Sequence, residues 1–132
     1  MCGQADESIQ HLFFSCSYPS EVWNSVLVHA RLNHPNQLNV IVNWVKSPSN
    51  LTKLNIICKL ILQASVYELW AERNARLHLA SLRSAVSIVK HICLTLRSKL
   101  ISMDRPTSPS SSSSISRQGQ SFLSTWFQFI QP

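Results

Sequence analysis

The feature that most constrains the fold is a run of helical periodicity from about Leu51 to Leu79, the longest in the sequence. Its first half is apolar almost all round, which is typical of a helix buried by several neighbours. The apolar stripe of the second half comprises Leu62, Val66, Leu69 and Leu77. Glu72 and Arg76 lie one turn apart, and we expect them to pair on the exposed side, which stabilises a helix by a few tenths of a kcal/mol.

Shorter periodic segments on both sides predict further helices. Asp6 and Ser20 are expected to cap the first two, because Asp and Ser are favoured at helix N-termini. The segment 37–46 fits either a short helix or an exposed strand, and we predict a helix because the sequence offers no partner strand. A last helix is predicted over about 82–102. Its expected buried stripe is Leu82, Val86, Val89, Ile92 or Cys93, Leu96 and Leu100.

The C-terminal region divides into a linker and a tail. Residues 105–120 are rich in serine and are predicted to be disordered, because such composition cannot bury enough apolar surface. Residues 121–132 are aromatic, and exposed aromatic side chains promote association. The tail is therefore expected to return and cover an apolar groove. The prediction is one small all-α domain over 1–104, followed by a disordered Ser-rich linker and an aromatic tail.

Composition excludes some functions and favours others. Only two glycines occur in 132 residues, so glycine-rich phosphate loops are excluded. The net charge of +6 comes entirely from residues 71–132, which carry eight basic and two acidic residues. A basic half can serve nucleic acid or acidic surfaces, although an ordinary solvated surface has the same composition. Arg83, Lys90 and Arg97 recur at seven-residue spacing and predict a basic ridge along the last helix.

The sequence also predicts an intracellular location, nuclear or cytoplasmic. Met1 is followed by polar residues, without the apolar core of a secretory signal. Polar residues interrupt the most apolar stretch, so neither a membrane span nor a membrane partner is expected. In a reducing compartment, cysteines more often bind metal or fill a core than form disulfides. Cys58 and Cys93 fall on apolar helix faces and are expected to be core residues.

Three residues near the N-terminus have the spacing of metal ligands. Cys2, His11 and Cys16 surround the stretch "ESIQHLFFS", and Gly3 follows the first cysteine as a tight metal-binding turn favours. Structural zinc takes four such ligands, usually a close pair on a turn and a second pair further along. The pattern therefore resembles a zinc knuckle, over residues 1–23, with one ligand absent.

These residues also carry a family resemblance. "CGQADESIQHLFFSCSYPSEVW" (2–23) resembles the zinc-binding region that follows the reverse transcriptase in plant non-LTR, LINE-type retrotransposons. That region reads Cys-x-x-Cys-Gly, then Glu-Ser/Thr-x-x-His-Leu-Phe-Phe-x-Cys, then a Trp. "YELWAERNARLH" (67–78) is similar to a helix of the same family, and "FLSTWFQFIQP" (122–132) to the usual close of its polyproteins.

The resemblance implies a zinc-binding domain that is truncated at its N-terminus. Cys2, His11 and Cys16 match three of the four presumed ligands, and Met1 stands just before the second family cysteine. The catalytic parts of the parent polyprotein would lie upstream, so the chain is expected not to be an enzyme and to have no small-molecule substrate. The implied function is a non-catalytic remnant with weak nucleic-acid binding, to RNA or single-stranded DNA. The alternatives are an inert fragment and a helical protein-interaction module.

The arginine-rich motif has two interpretations. Glu72, Arg73 and Asn74 either join the long helix to its neighbour or place a basic group against phosphates. In the second case the expected nucleic-acid-binding residues are Arg73, Arg76, Arg83, Lys90 and Arg97. Trp23, Trp44 and Trp70 can stack on bases, but at helical spacing we predict that they belong to the core.

Overall fold

A computed structural model describes residues 8–28, 32–80, 82–105 and 119–130. Helices account for almost all of its regular structure, and the described residues contain no strand. The predicted all-α fold is therefore confirmed. A π-helical turn, His11–Ser15, comes first and is followed by five α-helices. These are α1 (Ser17–Leu27), α2 (Leu38–Trp44), α3 (Thr52–His78), α4 (Ala85–Asp104) and α5 (Phe122–Phe129).

Helix α3 is the centre of the domain and packs against α1, α4 and α5. Its flanking residues are Leu51 and Leu79, as the periodicity predicted. Within the described residues it is also the one helix long and apolar enough to cross a membrane. Only its length and composition indicate this, and a core helix surrounded by neighbouring helices has the same length and composition. Its face toward those neighbours includes Leu54, Ile57, Cys58, Ile61 and Leu69, all buried.

The first two α-helices close one side of the core. Helix α1 begins at Ser17, three residues before the expected cap Ser20, and buries Val22, Trp23, Val26 and Leu27. The segment after Gln37 is a helix, as predicted, and buries Ile41. Gln10, just before the π-helical turn, joins that turn to the start of α2. Its side chain donates to the carbonyl of Asn36 and accepts from the amide of Leu38. The expected cap Asp6 lies outside the described residues.

Helix α4 begins three residues later than predicted. Ser84 is its N-cap, and its hydroxyl accepts from the amide of Ser87 at 3.2 Å. Leu82, which comes before this cap, is 74% exposed and Val86 is 72% exposed, so the prediction that both are buried was wrong. The buried stripe is instead Ala85, Ile88, Ile92, Leu96 and Leu100.

The aromatic tail forms α5 and packs on α3 and α4. Trp126 is fully buried, and Thr125 and Ile130 are buried with it. Ser121 and Asp104 cap the N-terminus of α5. The hydroxyl of Ser121 accepts from the amide of Ser124, while the carboxylate of Asp104 accepts from the amides of Phe122 and Leu123 at 2.8 and 2.9 Å. Most of the predicted linker, residues 106–118, lies outside the described residues.

Candidate functional site

Two glutamates of α3 lie in the interior of the domain, on the side that faces α4. Glu72 has no exposed surface. Its carboxylate accepts from Arg76 Nε at 2.7 Å, from Arg83 Nε at 2.9 Å and from the backbone amide of Arg83 at 2.9 Å. A buried carboxylate is tolerated when such charged donors satisfy it. Glu72 therefore connects the last turns of α3 to the segment that enters α4.

The second buried glutamate extends this connection to α4 itself. Glu68 lies one turn before Glu72 and accepts from Arg83 Nη1 at 3.1 Å. Its other oxygen lies 2.9 Å from Nδ1 of His91, which belongs to α4. Arg83 thus contacts both carboxylates with one planar group, a geometry that a lysine cannot reproduce.

A tyrosine from α1 completes the arrangement. The hydroxyl of Tyr18 donates to the carbonyl of Arg83 at 2.8 Å, and the guanidinium of Arg76 stacks over the Tyr18 ring at 4.4 Å. Arg76 Nη2 also donates to the Arg83 carbonyl, at 3.2 Å. We call the group the carboxylate cluster. It consists of Tyr18, Glu68, Glu72, Arg76, Arg83 and His91.

Hydrogen bonds within the carboxylate cluster keep the carboxylate of Glu72 ionised. Burial by itself raises the pKa of Glu72, but hydrogen bonds from Arg76 and Arg83 outweigh burial and place the pKa below its ordinary value of 4.5. Burial, and after it the charge of Glu72, raises the pKa of Tyr18 above 10.0. A carboxylate bound by two guanidinium groups is a poor proton acceptor, so this arrangement suits a structural role better than acid–base chemistry.

The position of Glu72 corrects one sequence prediction and bears on another. Glu72 and Arg76 do pair, but the prediction that they pair on the exposed side was wrong, because Glu72 is fully buried. Of the two interpretations of the motif, the contacts of Glu72 favour joining α3 to its neighbour. Arg73 and Asn74 are partly buried on the same helix.

The five predicted nucleic-acid-binding residues fall into separate groups. Arg76 and Arg83 contact the buried glutamates. Arg83 precedes α4 and is not part of a ridge on that helix. Lys90 and Arg97 are on α4, where Lys90 is exposed and the guanidinium of Arg97 lies 5.3 Å from the ring centre of Phe127 in α5. Arg73 lies on α3.

Lys90 and Arg97 of the predicted basic ridge lie on the outer face of α4 together with exposed apolar residues that the ridge prediction did not include. Exposed apolar residues alternate there with the two cations, three or four residues apart. We call this set the α4 stripe: Val86, Lys90, Leu94, Arg97 and Ile101. The 3.6-residue period was visible in the sequence, but the prediction assigned Val86 to the core.

The presumed zinc ligands are described in part. His11 lies in the π-helical turn, and the buried Cys16 directly follows it. The amide of Cys16 donates to the carbonyl of His11 at 3.1 Å, so the local fold brings these two residues close together. Cys2 lies outside the described residues. No group of three or more metal-ligating side chains occurs within residues 8–28, 32–80, 82–105 and 119–130.

The other cysteines and the tryptophans are placed as follows. Cys58 is buried, and burial raises the pKa of its thiol to about 12, as is usual for an inert core cysteine. Cys93 is partly buried, and burial raises the pKa of its thiol as well. Trp23 is buried, as predicted, and Trp44 is partly buried. Trp70 is 51% exposed, so its assignment to the core was wrong.

Trp70 belongs to an open groove on α3. Its ring centre lies 6.5 Å from that of Tyr67, and Phe13, Leu62, Gln63 and Val66 form the rest of the lining. The groove is almost entirely apolar.

Comparisons with known proteins found no match. No protein-family model, no curated protein and no solved structure is significantly similar to this chain.

Proposed function

We propose that this chain is a non-catalytic binding module and that the α4 stripe binds an anionic macromolecule. Nucleic acid, RNA or single-stranded DNA, is the partner class that the sequence predicts, bound weakly through phosphates. The observation that carries the proposal is the positive charge on the outer face of α4, where Lys90 and Arg97 make no ion pair with another described residue.

The charge distribution on α4 supports this proposal. The helix contains Lys90, Arg97 and Lys99, and its one acidic residue is Asp104 at the far end. The Asp104 carboxylate already accepts from two amides of α5. Helix α5 has no charged side chain. By contrast, Arg76 and Arg83 are paired with Glu68 and Glu72, and these carboxylates reduce the positive potential that a partner would meet there.

Filter binding over a salt series tests the proposal. We expect a short unstructured RNA, and a single-stranded DNA of the same sequence, to bind at low salt. Their affinity should fall steeply as salt rises, because binding releases counterions. The K90Q/R97Q variant removes two phosphate contacts and should reduce the slope of log K against log salt by about 1.4. K46Q/K59Q removes the same charge from exposed sites outside α4 and is the matched control. Absent binding, or equal losses in both variants, would contradict the proposal.

We also propose the lineage implied by the resemblance, a remnant of the zinc-binding region of a LINE-type polyprotein. The two motifs at 2–23 and 67–78 support it. Reading the genomic DNA upstream of Met1 tests it. An in-frame cysteine at the family spacing, preceded by polymerase-like coding sequence, is the expected result. Unrelated coding sequence upstream would contradict the lineage.

Zinc binding stays a prediction of the same lineage. With Cys2, His11 and Cys16 as its ligands, a site that lacks a fourth protein ligand should hold zinc far more weakly than a complete structural site. Native mass spectrometry at increasing zinc concentration measures this, with Cys16→Ser as the control variant. One tightly held zinc ion per chain, lost in the Cys16→Ser variant, would show that the site is intact.

A further inference from the structure

The α4 stripe combines charge with apolar surface. Val86 is 72% exposed, Leu94 49% and Ile101 43%, so α4 carries apolar side chains on its outer face as well as on its buried face. Lys90 lies between Val86 and Leu94, and Arg97 between Leu94 and Ile101. Phosphates would contact only the cations and would leave the apolar side chains unused.

The surface beside the stripe is concave. A groove of about 300 Å³ is lined by Val86, Val89, Lys90, Cys93, Leu94 and Arg97. At the end toward α5, Arg97 is positioned by its contact with Phe127. Helix α5 packs against α4, and Arg97, which lines the groove, contacts it through Phe127.

Charge decides what kind of helix fits. The carboxylates of Asp104 and Glu68 already have partners, since Asp104 accepts from the first amides of α5 and Glu68 contacts Arg83 and His91. A second copy of this chain would bring two positive faces together at a net charge of +6 each, which disfavours self-association. The complementary partner is therefore negative where α4 is positive and apolar where α4 is apolar.

We infer that the α4 stripe is a docking site for an acidic amphipathic helix of another protein. The inference rests on the proposed function, that this face binds an anionic partner, and it names the partner's chemistry. Leucine-like side chains seven or eight residues apart would cover Val86, Leu94 and Ile101. Carboxylates seven residues apart would meet Lys90 and Arg97, which the helical rise separates by about 10 Å.

A displayed library of helical peptides, selected against the whole chain at physiological salt, tests the inference. Enriched peptides should carry acids at seven-residue spacing with large apolar residues between them. Their affinity, measured by fluorescence anisotropy, should fall at least about tenfold for K90E/R97E and for Leu94→Asp, because each variant removes one half of the complementarity. K46E/K59E should bind like the wild type.

The outcomes separate the inference from the proposed function. Selection that enriches no such peptide, or peptides that bind K90E/R97E as well as the wild type, would overturn the inference. If RNA still binds at low salt through Lys90 and Arg97, the proposed function stands without it. If neither RNA nor peptide binds, both the inference and the proposed function are wrong. Leu94 and Lys90 are exposed, so circular dichroism of the variants should match the wild type and show that lost binding is not lost folding.

Discussion

Four of the basic residues predicted to bind nucleic acid form two groups that look alike in sequence and differ in structure. Arg76 and Arg83 contact buried carboxylates, whereas Lys90 and Arg97 face outward from α4. The difference lies in whether an acid on another turn or helix comes within reach once the chain folds. A cation is therefore informative about function only after its carboxylate partners are known.

The two groups should also affect stability differently. Removing one partner from a buried ion pair leaves an uncompensated charge inside the protein, with a loss of roughly 3–5 kcal/mol. Changing an exposed side chain usually alters the free energy of unfolding by no more than about 0.5 kcal/mol.

The largest expected effect follows from Glu72→Ala. This change leaves Arg76 and Arg83 without their shared acceptor. Because their side chains are 23% and 33% exposed and Arg83 still contacts Glu68, the free energy of unfolding should fall by about 3 kcal/mol, the low end for a buried pair. Urea denaturation followed by circular dichroism measures the loss. Glu21→Ala, at an exposed position of α1, is the control and should stay within about 0.5 kcal/mol of the wild type. Equal stabilities for the two variants would remove the distinction between the groups.

Acid should weaken the carboxylate cluster. Because the folded-state pKa of Glu72 lies below 4.5, its stabilisation is complete above about pH 4.5 and is lost as pH falls through the folded-state pKa. Glu72→Gln has no such titration. The difference in unfolding free energy between the wild type and this variant should therefore be constant at neutral pH and shrink below pH 4.5. A constant difference down to pH 2 would contradict the ion-pair assignment.

A smaller effect is expected at the end of α4. Asp104→Ala removes the acceptor for the amides of Phe122 and Leu123, and losing such a helix cap costs about 1 kcal/mol. The variant also removes a negative charge, so RNA affinity should not decrease. Thermal melting and filter binding on one preparation measure both. A drop in RNA affinity without a change in melting temperature would contradict the prediction, because Asp104 would then contribute to RNA binding and not to the stability of α5.

The smallest expected effect is that of Lys90→Ala combined with Arg97→Ala on stability. Lys90 makes no ion pair with a described residue, and Arg97 contributes one cation–π contact at the surface, so each change should alter the free energy of unfolding by no more than about 0.5 kcal/mol. The same variant should bind RNA more weakly and with the same shallower salt dependence as K90Q/R97Q. A loss of several kcal/mol would place these cations with Arg76 and Arg83.

Much of the helical architecture could be predicted from local pattern. The limits of α3 follow from its uninterrupted periodicity, and the return of the tail follows from the aromatic residues that form α5. The start of α4 was misplaced because Leu82 and Val86 continue an apolar spacing, and only the Ser84 cap shows where the helix begins. Caps compete with periodicity over a few residues, so they decide boundaries rather than whole elements.

The carboxylate cluster was beyond local reasoning in one respect. The spacing of Glu68, Glu72 and Arg76 was visible in the sequence, and three charged residues one turn apart suggest a solvated helix face. The burial of the two glutamates depends on Arg83, whose backbone and side chain reach Glu72 only after the chain turns between α3 and α4. No periodicity within α3 contains that information.

The cap at Asp104 has a consequence for how the molecule opens. Since the last residue of α4 holds the first amides of α5, fraying of one helix end releases the other. The two ends should form one cooperative unit in native-state hydrogen exchange, with the amides of Phe122 and Leu123 exchanging at the same opening free energy as the final turn of α4.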